Sequence, residues 1–178
     1  VASIGAANQL LNLMVVVYGF ITIGTQIIIA QYIGANKLRD IKHVIHTALF
    51  GSFTIGMMIS IVFFFFSKSL LTFMNLNEEL IQIGNSYLQI FGGSLIISAL
   101  SAVIIAILRT HGHTKPALLI PMTASILSVI GNYFVLYQPF GLPSFGVSGL
   151  AYSSVFGNMI GLIISVARLK RYIGCSIF

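Results

Sequence analysis

Charge is what this sequence has least of. Only 7% of its 178 residues are charged, against 57% hydrophobic. A soluble domain carries roughly a quarter charged residues to keep its surface wet. A chain of mean hydropathy +1.02 therefore needs lipid as the solvent for most of its surface. Acids are scarcest: Asp40, Glu78 and Glu79 are the only three, and none lies inside an apolar run. That excludes paired-carboxylate chemistry. No Ser-His-Asp or Cys-His arrangement and no phosphate-cradling glycine loop can be assembled either, so no catalytic residue is assigned and the segment is expected not to be an enzyme. The single cysteine, Cys175, permits no internal disulfide. A basic leader with a cleavage site is missing from the first residues. The chain starts at Val1 rather than Met, and is expected to be a piece of a longer protein.

What is present is apolar length. Five runs, about 10–33, 45–66, 83–108, 117–137 and 147–167, can be marked. Each is about 20 residues or slightly more, enough to cross the hydrocarbon as a helix. The strands of a membrane barrel would be half as long and would alternate. The expected fold is all-α: a polytopic membrane helix bundle of five spans in one domain or part of one.

The net charge of +6 falls in small groups between the runs, without aromatic interleaving, so nucleic acid is not an expected partner. Those groups set the sidedness instead. Lys37, Arg39 and Lys42 follow the first run; Arg109 and Lys115 follow the third; Arg168, Lys170 and Arg171 follow the fifth. Eight of the nine cations thus share one side, which the positive-inside rule makes cytoplasmic. The loops near 34–43, 109–115 and 168–171 are expected inside, with Val1 outside, in a multi-pass protein of the plasma (inner) membrane.

Local signals fit these runs. Thr114 is expected to cap the fourth helix with Pro116 in its first turn, and Pro121 to free the Ala117 carbonyl and bend it. Asn77 is a candidate cap for the third span, and Gly141 with Pro143 a tight turn before the fifth. The basic loops after the first and third runs look alike only in charge, and no internal repeat stands out. His43, His46, His111 and His113 have no Cys or Glu nearby to complete a ligand set, so they are read as solvated and no metal site is assigned.

Of the amides and hydroxyls inside the runs, Asn12, Gln26, Gln89, Ser128, Asn132, Ser154 and Asn158 are the deepest or best placed. Hydrogen bonding between helices accounts for such residues by default, at about 0.6 kcal/mol each. Ser128 and Asn132 stand four apart, so their oxygens share a helix face. Two such oxygens suit either plain packing or coordination of a cation or water near a partner's carboxylate. Gly157-x-x-x-Gly161 reads as a close helix contact.

Three stretches together carry a family resemblance. Ile29-Ala-Gln31-Tyr-Ile-Gly34-Ala-Asn resembles the A-Q-x-x-G-A junction after helix two of multidrug and toxic compound extrusion (MATE) transporters. Leu108-Arg-Thr-His-Gly-His-Thr-Lys-Pro116 resembles their G-x-G-x-T-x-x-P loop between helices four and five. Gly141-Leu-Pro-Ser-Phe-Gly146-Val-Ser-Gly149-Leu-Ala151-Tyr-Ser-Ser154 is similar to their G-L-P-x-x-G-x-x-G-A-A-x-A-T stretch entering helix six. The resemblance implies helices two to six of the amino-terminal lobe of an antiporter of about twelve helices. It implies export of small organic, cationic compounds driven by Na⁺ or H⁺, with that coupling ion and no cofactor. The missing helix one and the carboxy-terminal lobe would be its partners, besides the lipid bilayer. It also implies a cation or substrate site: Asn132 matches the later member of a polar pair on helix five, Ser128 stands where the family has Asn, and Ser154 replaces a threonine at the start of helix six. The acid of helix one would lie upstream of Val1. Two alternatives stand beside this: a lipid-linked oligosaccharide flippase of the related superfamily, which cations inside the spans would favour, and a structural subunit of a membrane complex.

Overall fold

The structure is a computed structural model that describes residues 2–73, 78–137 and 146–173. These form six helices: α1 (Ala2–Gly34), α2 (Leu38–Phe73), α3 (Glu78–Gly93), α4 (Leu95–Thr110), α5 (Thr114–Tyr137) and α6 (Gly146–Ile173), with no strand among the described residues. Helix is what lipid demands of such runs, because each backbone group must find its partner within its own segment. Four of the helices are long and apolar enough to cross a membrane, and the bent pair α3–α4, taken together, passes the same test as a fifth candidate span. The expected all-α bundle of five spans is what the chain forms.

Three expectations about the elements need correction. The second run does not stop at 45–66. Helix α2 has 36 residues, about 54 Å at 1.5 Å per residue. Ile41, Ile45 and Leu71 are buried beyond or near the ends of the run, so core packing carries the helix past the hydrocarbon. The third run, 83–108, is not one straight helix but two, with axes 43° apart. Gly92 and Gly93 weaken the helix there, and the Ser94 hydroxyl turns back to the Phe91 carbonyl at 2.7 Å. The Ile96 N–H donates to Ser60 Oγ of α2 at 3.1 Å. Phe63 fills the space beside Gly92, where a Cβ would stand 2.6 Å from its own Cβ. The bend is thus held by α2. Finally, Thr114 is not the cap of α5. Ala117 N–H donates to the His113 carbonyl at 3.3 Å, which makes His113 the cap and keeps Pro116 in the first turn. The Asn77 cap and the Gly141–Pro143 turn lie outside the described residues.

The two basic connections share more than charge. After α1, Asn36 takes a left-handed backbone (φ 58) and Lys37 N–H donates to the Tyr32 carbonyl at 3.0 Å. After α4, Gly112 does the same (φ 79), and His113 N–H donates to the Leu108 carbonyl at 2.9 Å. Both are the left-handed six-to-one cap, and each launches the next helix two residues later.

Packing divides into two clusters. At one end Ile29, Ile41, Ile45, Ile104, Ile107, Leu108, Ala117, Ile120 and Leu169 pack together. These flank the two basic connections and the last turns of α6, where Arg168, Lys170 and Arg171 lie inside the helix rather than in the loop expected at 168–171, so the three basic groups gather at one end of the bundle. The His113 and Tyr172 rings meet there at 4.3 Å. At the other end Tyr18, Phe63, Leu71, Leu88, Leu95, Ala99 and Ala151 form a second cluster.

Candidate functional site

The amide at 132 is placed by the seam between α5 and α6. These two helices approach closely because small residues face one another in antiparallel register. A Cβ on Gly161 would come 3.1 Å from Ala124 Cβ. One on Gly157 would collide with Ser128 Oγ and meet the Ala124 carbonyl at 2.8 Å, and one on Gly131 would collide with Ser153 Oγ. Ser153 Oγ also donates to the Ser128 carbonyl at 3.1 Å. The Gly157-x-x-x-Gly161 contact is therefore a real one, and its complement on α5 is Ala124, Ser128 and Gly131.

This seam sorts the three residues expected at the site. Ser128 is committed to it, with its hydroxyl seated in the notch that Gly157 leaves open. Asn132, one turn further on, is half-buried; its Oδ1 is buried and hydrogen-bonds to no protein group. Ser154 spends its proton on its own helix, donating to the Leu150 carbonyl at 3.0 Å. Among the described residues no hydrogen bond joins Asn132 to Ser128 or Ser154.

The other polar residues of the spans fare differently. Asn158 Nδ2 reaches Ser98 Oγ of α4 at 3.5 Å, and Gln89 Nε2 reaches the Phe64 carbonyl at 3.4 Å. Asn12 is exposed, and Gln26 is half-buried. Ser98 and Ser101 were not legible as site candidates. Their only signal is three serines at 94, 98 and 101 in one apolar run, a helical spacing that also suits packing. Among the described residues no group of three metal-ligating side chains forms.

Comparison with known proteins agrees with this architecture. The MatE family model matches residues 1–134. An uncharacterized transporter of Bacillus subtilis, YisQ, is 35% identical over 173 residues, which is 97% of this chain and 38% of that protein. The "Probable multidrug resistance protein NorM" of Bacillus cereus is 27% identical over 150 residues, 84% of this chain and 33% of its own length. A crystal structure described as MATE in the bent conformation superposes with a TM-score of 0.89 at 23% identity, over 96% of this chain and 38% of that one. The chain thus spans less than two fifths of the relatives it matches. A family match over three quarters of its residues, on a five-span bundle with the same fold, means that this chain belongs to the MatE family of membrane transporters.

Proposed function

We propose that this chain forms helices two to six of the amino-terminal lobe of a secondary antiporter that exports small organic cations in exchange for Na⁺ or H⁺. One observation carries the proposal: the Asn132 Oδ1, within the apolar length of α5, is buried without a hydrogen-bond partner in the protein. Removing an amide from water without a hydrogen bond costs about 2–7 kcal/mol. An amide kept under that penalty fits a position where a cation or an ordered water is bound in turn. Asn132 supplies the neutral oxygen ligand. Ser154 adds a hydroxyl oxygen whose proton already points to Leu150, leaving lone pairs for a cation. Ser128 holds α5 against α6 at this height. The charged ligand comes from the helix that precedes α1, and the end bearing the basic connections faces the cytoplasm across the plasma membrane.

Efflux of a fluorescent organic cation from cells expressing the intact transporter tests this. Asn132→Leu, at membrane levels equal to wild type, is expected to lower coupled efflux by about tenfold or more, the equivalent of losing one interaction of about 1.4 kcal/mol at the rate-determining state. Undiminished efflux overturns the proposal and leaves Asn132 as a packing residue.

A further inference from the structure

An open trough runs along the α5–α6 pair, with no residue of α4 in its lining. Near the basic end it is lined by Pro116, Leu119, Ile120, Thr123, Ile164 and Arg168, around a space of about 200 Å³. Further along, Leu127, Gly131, Tyr152 and Phe156 are among the residues around a space of about 560 Å³. The two spaces line up, because their residues recur at multiples of four. Thr123, Leu127 and Gly131 share a face of α5, and Tyr152, Phe156, Ile164 and Arg168 share a face of α6. Asn132, Ser128 and Ser154 line neither space.

The trough is apolar along its length and cationic at one end. Its hydroxyls are already engaged, Thr123 with the Ile120 carbonyl at 2.8 Å and Ser153 with the Ser128 carbonyl at 3.1 Å. Leu119, Tyr152 and Phe156 are each more than half exposed, so the trough opens outward. Arg168 closes the basic end. It stands 20 residues beyond Ser148, where the apolar length of α6 begins; that is about 30 Å, one hydrocarbon thickness. Its side chain is half-buried and donates to the neutral Tyr172 hydroxyl at 3.5 Å. No carboxylate pairs with it among the described residues. The register that sets Ala124 beside Gly161 and Ser128 beside Gly157 brings Lys115 of α5 within one turn of the same height. Positive-inside topology asks only for cations beyond the spans. It does not ask for one seated in an apolar trough with no acid beside it.

We infer that this trough binds an anionic phospholipid, its phosphate held by Arg168 and Lys115 and one acyl chain laid along Thr123, Leu127 and Phe156. Charge complementarity names the occupant. A guanidinium offers five donors in a fork that matches phosphate oxygens, and only one is turned to Tyr172. The positive end of α5 begins at this height and adds to the field. A zwitterionic lipid brings the same phosphate with an ammonium that the two cations repel. The length fits as well. Arg168 and Tyr152 are 16 residues apart, about 24 Å, and one leaflet of hydrocarbon is about 15 Å deep.

Native mass spectrometry of the purified intact transporter in detergent, titrated with dioleoylphosphatidylglycerol, reads the site without a transport assay. The wild type is expected to bind this lipid more tightly than dioleoylphosphatidylcholine. Arg168→Gln combined with Lys115→Gln is expected to weaken phosphatidylglycerol binding about 25-fold, roughly fivefold per cation. Lys37→Gln combined with Lys42→Gln removes equal charge at the start of α2, and is expected to leave binding unchanged. Leu119→Trp fills the trough, keeps every charge, and is expected to abolish the preference; it decides the matter should the first double variant fail to fold. Equal affinity for the two lipids overturns the inference, as does binding that survives either the Arg168/Lys115 pair or Leu119→Trp. An equal loss in the Lys37/Lys42 pair overturns it in favour of diffuse surface charge. Displacement of the lipid by inorganic phosphate overturns it in favour of a soluble anion.

Discussion

Helices α4 and α5 follow one another in the chain, joined by one tight turn, and both are apolar, yet they live in different surroundings. Seven of the 16 residues of α4 are buried, distributed along it from Leu95 to Leu108. Of the 24 residues of α5 only Ala117 and Ile120 are buried, both near the basic end. Helix α4 lies against α1, α2 and α6, whereas α5 leans on α6 with only a lesser contact to α4. Leu118, Met122, Ile126, Val129, Tyr133 and Leu136 of α5 face outward. Apolarity therefore does not distinguish inside from outside in this protein, because lipid and protein core accept the same side chains. Small residues do distinguish them. At its seam with α6, helix α5 is attached through Ala124, Ser128 and Gly131, whereas α4 buries mostly large aliphatic groups, with Ala99 and Ala106, against several helices.

The largest expected effect is at the seam. Gly157→Leu places a branched side chain where even a Cβ meets the Ala124 carbonyl at 2.8 Å. Overpacking of this kind costs about 1–3 kcal/mol or more, and here backbone rather than a flexible side chain must yield. The intact transporter carrying it is expected to lose its monodisperse peak in size-exclusion chromatography, since α5 has few other attachments. Next comes Ile107→Ala in α4. Ile107 is fully buried, and deleting such a side chain costs about 2–5 kcal/mol, readable as a lower midpoint in denaturant unfolding. Smallest is Val129→Ala on α5, 66% exposed and expected to change stability by no more than about 0.5 kcal/mol. Equal losses for Ile107→Ala and Val129→Ala would erase the contrast between the two helices. A larger loss at Val129 would mean that another part of the transporter covers α5.

Much of the bundle was legible. The five spans follow from run length, and the gathering of the three basic groups at one end follows from cations placed after alternate spans. The bend at Ser94 was not, because Gly92-Gly93-Ser94 sits within an unbroken apolar run and glycine is tolerated in membrane helices. Only Phe63 and Ser60 from α2 make it a fixed break. The shared turn after α1 and α4 was hidden by different residues, Asn36 and Gly112, adopting one backbone conformation. At the site, the i, i+4 relation of Ser128 and Asn132 was legible, but not their division of labour. That division depends on Gly157 standing opposite Ser128 and on no hydrogen-bonding group among the described residues meeting the Asn132 Oδ1.

By itself, the sequence determined that this chain lives in lipid, that it crosses as helices, and that its cationic connections share one end. Those are one-dimensional properties, set by the length of apolar runs and the placement of charge. Tertiary structure alone decided which polar groups are satisfied. A hydroxyl or amide finds its partner across a helix interface, as Asn158 finds Ser98 and Asn132 Oδ1 finds none. That outcome depends on the register and rotation of neighbouring helices, which an apolar pattern uniform around each rod does not encode.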